Sequence, residues 1–363
     1  MEADWRPSRV HVLGHPDLPM DTDRHPEDAQ VRTCETMAQL LARAAIPFVY
    51  YGLSGSRVPA PGVFKDLGEA EGKWAWRNHW HESYSRRLQA ALAETGDRGE
   101  ELVLSLYGAA HADVDAGGRP VIEPMVGYDH CWAPYRVFPS YAQQHVLYTS
   151  RPEQTWRSRW FDTVIPHFLD PTPYAVARQG RGDSVLFLGR DAPDKGVDIA
   201  RAVCRRAGVP LRAIHRGLKG EAKIEAIARS RAVIMPTVYV EPFGYVAVEA
   251  QLCGVPVIAT DWGAFAETVE HGLSGFRCRT EAEFVWAIHA CADLPPEPIR
   301  ARALRKYSIA AVLPAYLAYF RFVWAVHTEG GFAAPHALRW PCCSGCGPPP
   351  RDDGDRQHGE AEP

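Results

Sequence analysis

The chain lacks a strong charge of either sign, a stretch that reads as a bilayer span, and a set of metal ligands at a recognised spacing. Its 40 Lys and Arg against 44 Asp and Glu over 363 residues leave no whole-chain attraction toward nucleic acid. The opening residues, Met1 to Arg6, lack the apolar core of a signal peptide, and no apolar run reads as long enough to cross a membrane. A soluble, cytoplasmic protein is therefore expected. Peripheral membrane contact stays open, although no strongly basic amphipathic helix is evident in the first half. Cysteines such as Cys34, Cys204, Cys253 and Cys291 are scattered through apolar segments, which reads as buried free thiols in a reducing compartment. Cys342, Cys343 and Cys346 are close together, but even with His336 nearby no fourth ligand stands at a zinc-finger spacing, so no metal site is read there. The polar, proline-rich sequence around them has almost nothing apolar to bury, and a disordered tail is expected over residues 330–363.

What is present is an α/β alternation that runs twice. Arg9 to Gly14 reads as a strand ending in a turn, Glu27 to Ala44 as a helix with Val31, Cys34, Ala38 and Leu41 on one face, and Phe48 to Gly52 as a second strand. A Gly/Pro-rich loop is expected from Ser54 to Gly72, a helix from Tyr84 to Glu94, and strands at Glu101 to Gly108 and Pro120 to Pro124. The alternation restarts after about Ile165. Single cores stop growing near 250–300 residues, so the length suits two domains. These are placed at 8–164 and 165–309, each Rossmann-like, with the linker near Val164 to Pro173. The aromatic-rich segment 310–329 reads as a final helix, and no short internal repeat is visible.

The densest local signal is V-E-P-F-G-Y-V-A-V-E-A-Q-L-C-G from Val240 to Gly254. Pro242 and Gly244 favour an irregular loop, and Tyr245 to Cys253 reads as a short buried helix ended by Gly254. Glu241 then precedes the first turn and Glu249 lies within the helix. A helix start offers unpaired N–H groups and a positive dipole end, which favour a diphosphate. A carboxylate beside it suits sugar or ribose hydroxyls, because it would repel a bare phosphate. Arg231 to Thr237 and Val255 to Thr260 read as flanking buried strands, which puts both glutamates at the carboxyl ends of a parallel sheet, where open α/β sheets bind ligands. Arg190 and Lys195 leave another buried strand, Val185 to Leu188, on the loop after Gly189, offering a guanidinium fork and a compact ammonium to phosphate oxygens.

The E-x7-E segment resembles that of family 4 retaining glycosyltransferases. The stretch from Asp261 to Phe276, with its glycine turn, glutamate and second glycine turn, is similar to the next block of that family. Val185 to Val197 resembles its diphosphate-gripping loop, and Val164 to Asp170 its lead-in to the second domain, with His167 where an asparagine is more usual. The four blocks occur in the family's order over roughly residues 164 to 279, while the first half is similar only in layout. The resemblance implies a GT-B fold: two Rossmann-like domains facing a cleft, with terminal helices crossing back onto the first.

It further implies transfer of a sugar from a UDP-, GDP- or ADP-linked donor to an acceptor hydroxyl, with retention at the anomeric carbon and no cofactor. Arg190 and Lys195 would neutralise the departing diphosphate. Glu241 would orient the sugar hydroxyls with help from the backbone N–H groups of Phe243 and Gly244, and Glu249 would accept from the ribose. Gly14, at the end of the first strand, is expected on the cleft floor near the phosphates. His111, Tyr128 and Asp129 follow strands of the first domain and are acceptor-side candidates, for a glycan, lipid or small-molecule acceptor. Asp21-Thr-Asp23 and Asp113-Val-Asp115 have the D-x-D form that holds a metal in a different glycosyltransferase fold. The cations already present make a metal unnecessary, and metal independence is expected. Two alternatives stay open: a non-catalytic nucleotide-sugar-binding protein, and a nucleotide-sugar hydrolase or epimerase on the same fold.

Overall fold

The computed structural model describes residues 5–96, 99–150, 160–174 and 182–330. The expected disordered tail beyond Gly330, with Cys342, Cys343 and Cys346, lies outside the described residues. Seven strands, Arg9–Leu13 (β1), Phe48–Gly52 (β2), Val63–Asp66 (β3), Glu101–Ser105 (β4), Val121–Glu123 (β5), Tyr135–Phe138 (β6) and Thr163–Val164 (β7), form a parallel sheet in the order β3-β2-β1-β4-β5-β6-β7. β1, β2, β4 and β6 are buried along their whole length, as a parallel sheet covered on both faces requires. The helices Ala29–Arg43 (α1), His79–Ala93 (α2) and Tyr141–Ser150 (α3) belong to this domain. Asp28 starts α1 by accepting from the N–H groups of Gln30 and Val31, both at 2.9 Å.

The expected loop over Ser54 to Gly72 is corrected by β3. Two of its four residues are exposed and none is fully buried, so no local pattern marks them. Pairing with β2, Val49 opposite Val63, makes them an edge strand.

The second sheet consists of Val185–Leu188 (β8), Leu211–Ile214 (β9), Ala232–Met235 (β10), Val257–Thr260 (β11) and Gly275–Cys278 (β12), parallel in the order β12-β11-β10-β8-β9. Its helices are Val197–Ala207 (α4), Gly220–Ala228 (α5), Tyr245–Leu252 (α6), Phe265–Thr268 (α7), Glu281–Ala290 (α8) and Pro296–Tyr307 (α9). One core lies under α6 and α9, another between the sheet, α4 and α8. The strand order reverses between β1 and β4 in the first sheet and between β8 and β10 in the second, and each reversal opens a crevice at the strands' carboxyl ends.

These two crevices belong to segments that meet. Glu267 of α7 accepts from the N–H groups of Tyr141 and Ala142 at 3.0 Å each, capping α3 of the other domain. Ser140 Oγ donates to the Pro242 carbonyl at 2.7 Å, and Gly217 N–H to Glu27 at 3.1 Å. The fold is GT-B.

The last helix, Ile309–Thr328 (α10), corrects the expectation that no apolar run was long enough to span a bilayer. It is 20 residues long with a hydropathy of 1.6, enough by length and composition. Its buried residues, among them Val312, Tyr316, Phe320 and Val323, join the first-domain core beside Val12, Leu102 and Phe168, while the preceding helix α9 packs in the second domain. A helix apolar on nearly all sides suits such a core position. The six cysteines of the described residues, including Cys34, Cys204, Cys253 and Cys291, are buried free thiols.

Candidate functional site

A cavity of about 500 Å³ lies between residues 26–32 of the first domain and the loops that follow β8, β9 and β10. Its chemistry depends on a close backbone approach. The loop after β8 ends in the turn Pro193–Lys195 and then Gly196, at φ 73°, where a Cβ would stand 2.0 Å from the Pro236 carbonyl oxygen. Only glycine permits that approach in that conformation. Val238 N–H seals it by donating to the Asp194 carbonyl at 2.9 Å.

Lys195 is thereby carried onto the loop after β10. Its Nζ lies 3.0 Å from Glu241 Oε2 and also bonds the Tyr239 hydroxyl. Tyr239 donates to the same Glu241 oxygen at 2.5 Å. Burial, and then the Glu241 carboxylate, push the Tyr239 phenol far above its usual range, so it remains a donor. Beside this trio Gly244, at φ 82°, turns the chain into α6. Among the described residues nothing accepts from the N–H groups of Gly244, Tyr245 and Val246, all three of which line the cavity. An ammonium, a phenol, a carboxylate and a free helix start thus converge on one space, able to take an anion and hydroxyls together.

Arg190 lines the same cavity but touches neither Lys195 nor Glu241. Its side chain is 69% exposed at the rim and pairs with Asp194 at 3.1 Å. The residues that sequence reading missed are Tyr239, Lys223 and Arg32. Tyr239 had a signal in its place two residues before Glu241; the other two had none, because they approach from α5 and from the opposite domain.

Glu249 corrects its expected role. It lines a second cavity, of about 480 Å³, and is absent from the wall of the first. Arg32 Nη1 donates to Oε1 at 2.8 Å, Tyr174 to the same oxygen at 3.1 Å, and Lys223 Nζ lies 2.6 Å from Oε2. Engaged by three protein donors and outside the wall of the first cavity, this carboxylate is placed to hold Arg32 and Lys223. Arg32 and Lys223, which it holds, line both cavities.

The other expected site residues are placed as follows. Gly14 is buried and lines neither cavity; a Cβ there would stand 2.2 Å from the Tyr50 hydroxyl, so the glycine serves interior packing. The Phe243 side chain is in the second-domain core, edge-on to His167 at 4.9 Å, and supports the loop from beneath. His111 is wholly buried, with Nδ1 2.9 Å from Ser105 Oγ and Nε2 3.0 Å from the Gly14 carbonyl, so it ties β4 to β1 and lines neither of these two cavities. Tyr128 donates to Glu123 at 3.2 Å and accepts from Gly108 N–H at 3.2 Å, while Asp129 is exposed; neither lines these cavities. Of the D-x-D pairs, Asp21 and Asp23 both hold Arg57, and Asp115 caps a turn at Gly117.

Burial drives the imidazoles of His111 and His167 down to about 3. Both are neutral when folded, whereas in the unfolded chain they take a proton below about pH 6.5. Stability is expected to fall as pH drops from about 6.5 toward 3, by about 1.4 kcal/mol per pH unit for each. Urea midpoints across that window check this, and His111→Gln should flatten the decline.

Residues 214–308 match the model of the family described as Glycosyl transferases group 1. D-inositol 3-phosphate glycosyltransferase of Rhodococcus jostii is 32% identical over 154 residues, covering 42% of this chain and 26% of that protein, so the likeness spans about a quarter of the relative's length. Among solved structures, AviGT4, a glycosyltransferase involved in avilamycin A biosynthesis, superposes with a TM-score of 0.66 at 18% identity, covering 88% of this chain and 98% of that one. HepE of Anabaena gives 0.59 at 15% identity over 86% and 98%. The matched segment carries Glu241 and α6 with Glu249 and lies within a GT-B fold, so this part of the chain is similar to the glycosyl transferases group 1.

Proposed function

We propose that this chain is a metal-independent, retaining family 4 glycosyltransferase that moves a sugar from a nucleotide-diphosphate donor to an acceptor hydroxyl. The observation that carries the reading is the convergence of Lys195, Tyr239 and Glu241 beside the start of α6, at the crevice between β8 and β10. The donor diphosphate lies against Lys195 and the α6 N–H groups, with Arg190 closing over it from the rim. These charges are in place before the bond to the leaving phosphate breaks, which is how preorganised charge lowers a barrier. Glu241 and Tyr239 take the sugar hydroxyls. Glu249 is given the positioning of Lys223 and Arg32 at the far end of the cavity. HepE, of the same fold, has been crystallised with UDP-glucose, which supports a nucleotide sugar as donor.

The test is calorimetry and thermal shift of the purified protein against UDP-, GDP- and ADP-sugars, with EDTA throughout. Saturable binding of one donor, lost in Lys195→Ala, is expected. Binding only after manganese is added would refute metal independence, and no binding in either condition would refute the transferase. Once an acceptor is in hand, the anomeric configuration of the product, read by NMR, decides retention.

A further inference from the structure

Next to the donor cavity, the first domain carries a group of aromatic rings that donor binding does not use. The segments after β1, β4 and β5 end in His15, Tyr107 and His130, and the chain between β3 and α2 lays Trp74 across them. Trp74 lies 5.7 Å from the Tyr107 ring and 5.7 Å from His130, and Tyr107 lies 4.4 Å from His15. Trp76, 47% exposed, covers His81 at 4.9 Å. None of these rings lines either of the two cavities. The group nevertheless adjoins the first cavity, since His15 Nε2 is 3.8 Å from Asp28, which lines it.

Core packing alone does not account for the group. Trp74, Tyr107 and His130 are only partly buried, and the Trp74 indole Nε1 is shielded from water without a hydrogen-bond partner. An indole N–H in that state costs stability unless something accepts from it. Polar atoms are interleaved with the rings: the half-buried Asp17 accepts from Trp74 N–H at 2.6 Å, and His81 Nε2, also without a hydrogen-bond partner, stands 3.9 Å from Asp113. A fatty chain calls for unbroken apolar wall. Ring faces alternating with a carboxylate and ring nitrogens match a ligand that presents C–H faces and hydroxyls in alternation.

We propose that Trp74, Trp76 and Tyr107, with Asp17, form the acceptor platform, and that the acceptor is a sugar or other polyhydroxylated ring. The inference rests on the transferase reading and deepens it. The ring lies on the accessible faces of Trp74 and Trp76, and His15 marks the passage toward the donor.

Saturation-transfer NMR would be run on the full chain with its bound nucleotide sugar, against the methyl glycosides of glucose, mannose, galactose and N-acetylglucosamine, myo-inositol, and octanol as the apolar comparator. Wild type is expected to bind at least one of the polyols. Trp74→Ala should weaken that binding tenfold or more while donor affinity by calorimetry stays within twofold. Trp76→Ala, at an exposed ring that no core depends on, should weaken it severalfold and gives the readout if Trp74→Ala fails to fold. Polyol binding unchanged in both variants overturns the proposal, as does octanol binding in place of the polyols, or a wild type that takes donor and no polyol. If wild type takes no donor at all, the transferase reading fails instead, and this proposal with it.

Discussion

Replacing Lys195 by alanine is expected to lower turnover about 10²- to 10³-fold while the protein stays folded. That is the scale on which a single preorganised partner of developing charge acts. Among the described residues Lys195 is the one cation in direct contact with Glu241, and the Gly196 turn fixes where it stands. Its Nζ also lies 4.6 Å from the centre of the Tyr239 ring, so Glu241 and Tyr239 together position the ammonium before any substrate arrives. Arg190→Ala is expected to lose most of its turnover as well, although the guanidinium starts at the rim and must leave Asp194 to reach the phosphates. Turnover measured beside far-ultraviolet circular dichroism separates lost chemistry from lost fold. Wild-type rates in both variants would remove the diphosphate assignment.

Glu249→Ala is expected to destabilise the protein by about 3–5 kcal/mol, because it leaves two cations at a buried site without their counter-charge. Burial by itself pushes the Glu249 carboxyl up, and Lys223 and Arg32 more than reverse this, holding it at about 2. The unfolded chain protonates the same group near 4.3. Its contribution is therefore fully present above that pH and is lost as pH falls through about 2, amounting to about 3 kcal/mol. Urea midpoints at neutral pH read the loss, and a double-mutant cycle with Arg32→Met isolates the pairing across the two domains. An unchanged midpoint together with abolished donor binding would return Glu249 to the ribose role and end the positioning role given to it here.

Glu241 and Glu249 illustrate what could be read in advance. Their spacing and the Pro242 and Gly244 between them placed one before a helix and one within it, and the structure has both there. Lys195 was legible because a buried strand and glycines at both ends leave a loop little freedom. Its partner Tyr239 was passed over, since a tyrosine in a loop carries no periodic mark and its only signal was its place two residues before Glu241. β3 was missed for a related reason: an edge strand with no fully buried residue owes its conformation to its neighbour.

Local pattern in this chain determined the two α/β halves, the crevice at the carboxyl ends of the second sheet, and the loop and helix that hold the glutamates. These come from periodicity, from glycine and proline at the turns, and from the burial demanded by parallel strands, all of which act over short stretches. Tertiary structure alone decided that His111 is a strut, that Gly14 makes room for Tyr50, that α10 spends its apolar faces on the first-domain core, and that Glu249 is held by Arg32, 217 positions away in the chain. Each of these depends on which distant surfaces meet, and a side chain's protonation and availability are set by those meetings rather than by its neighbours in sequence.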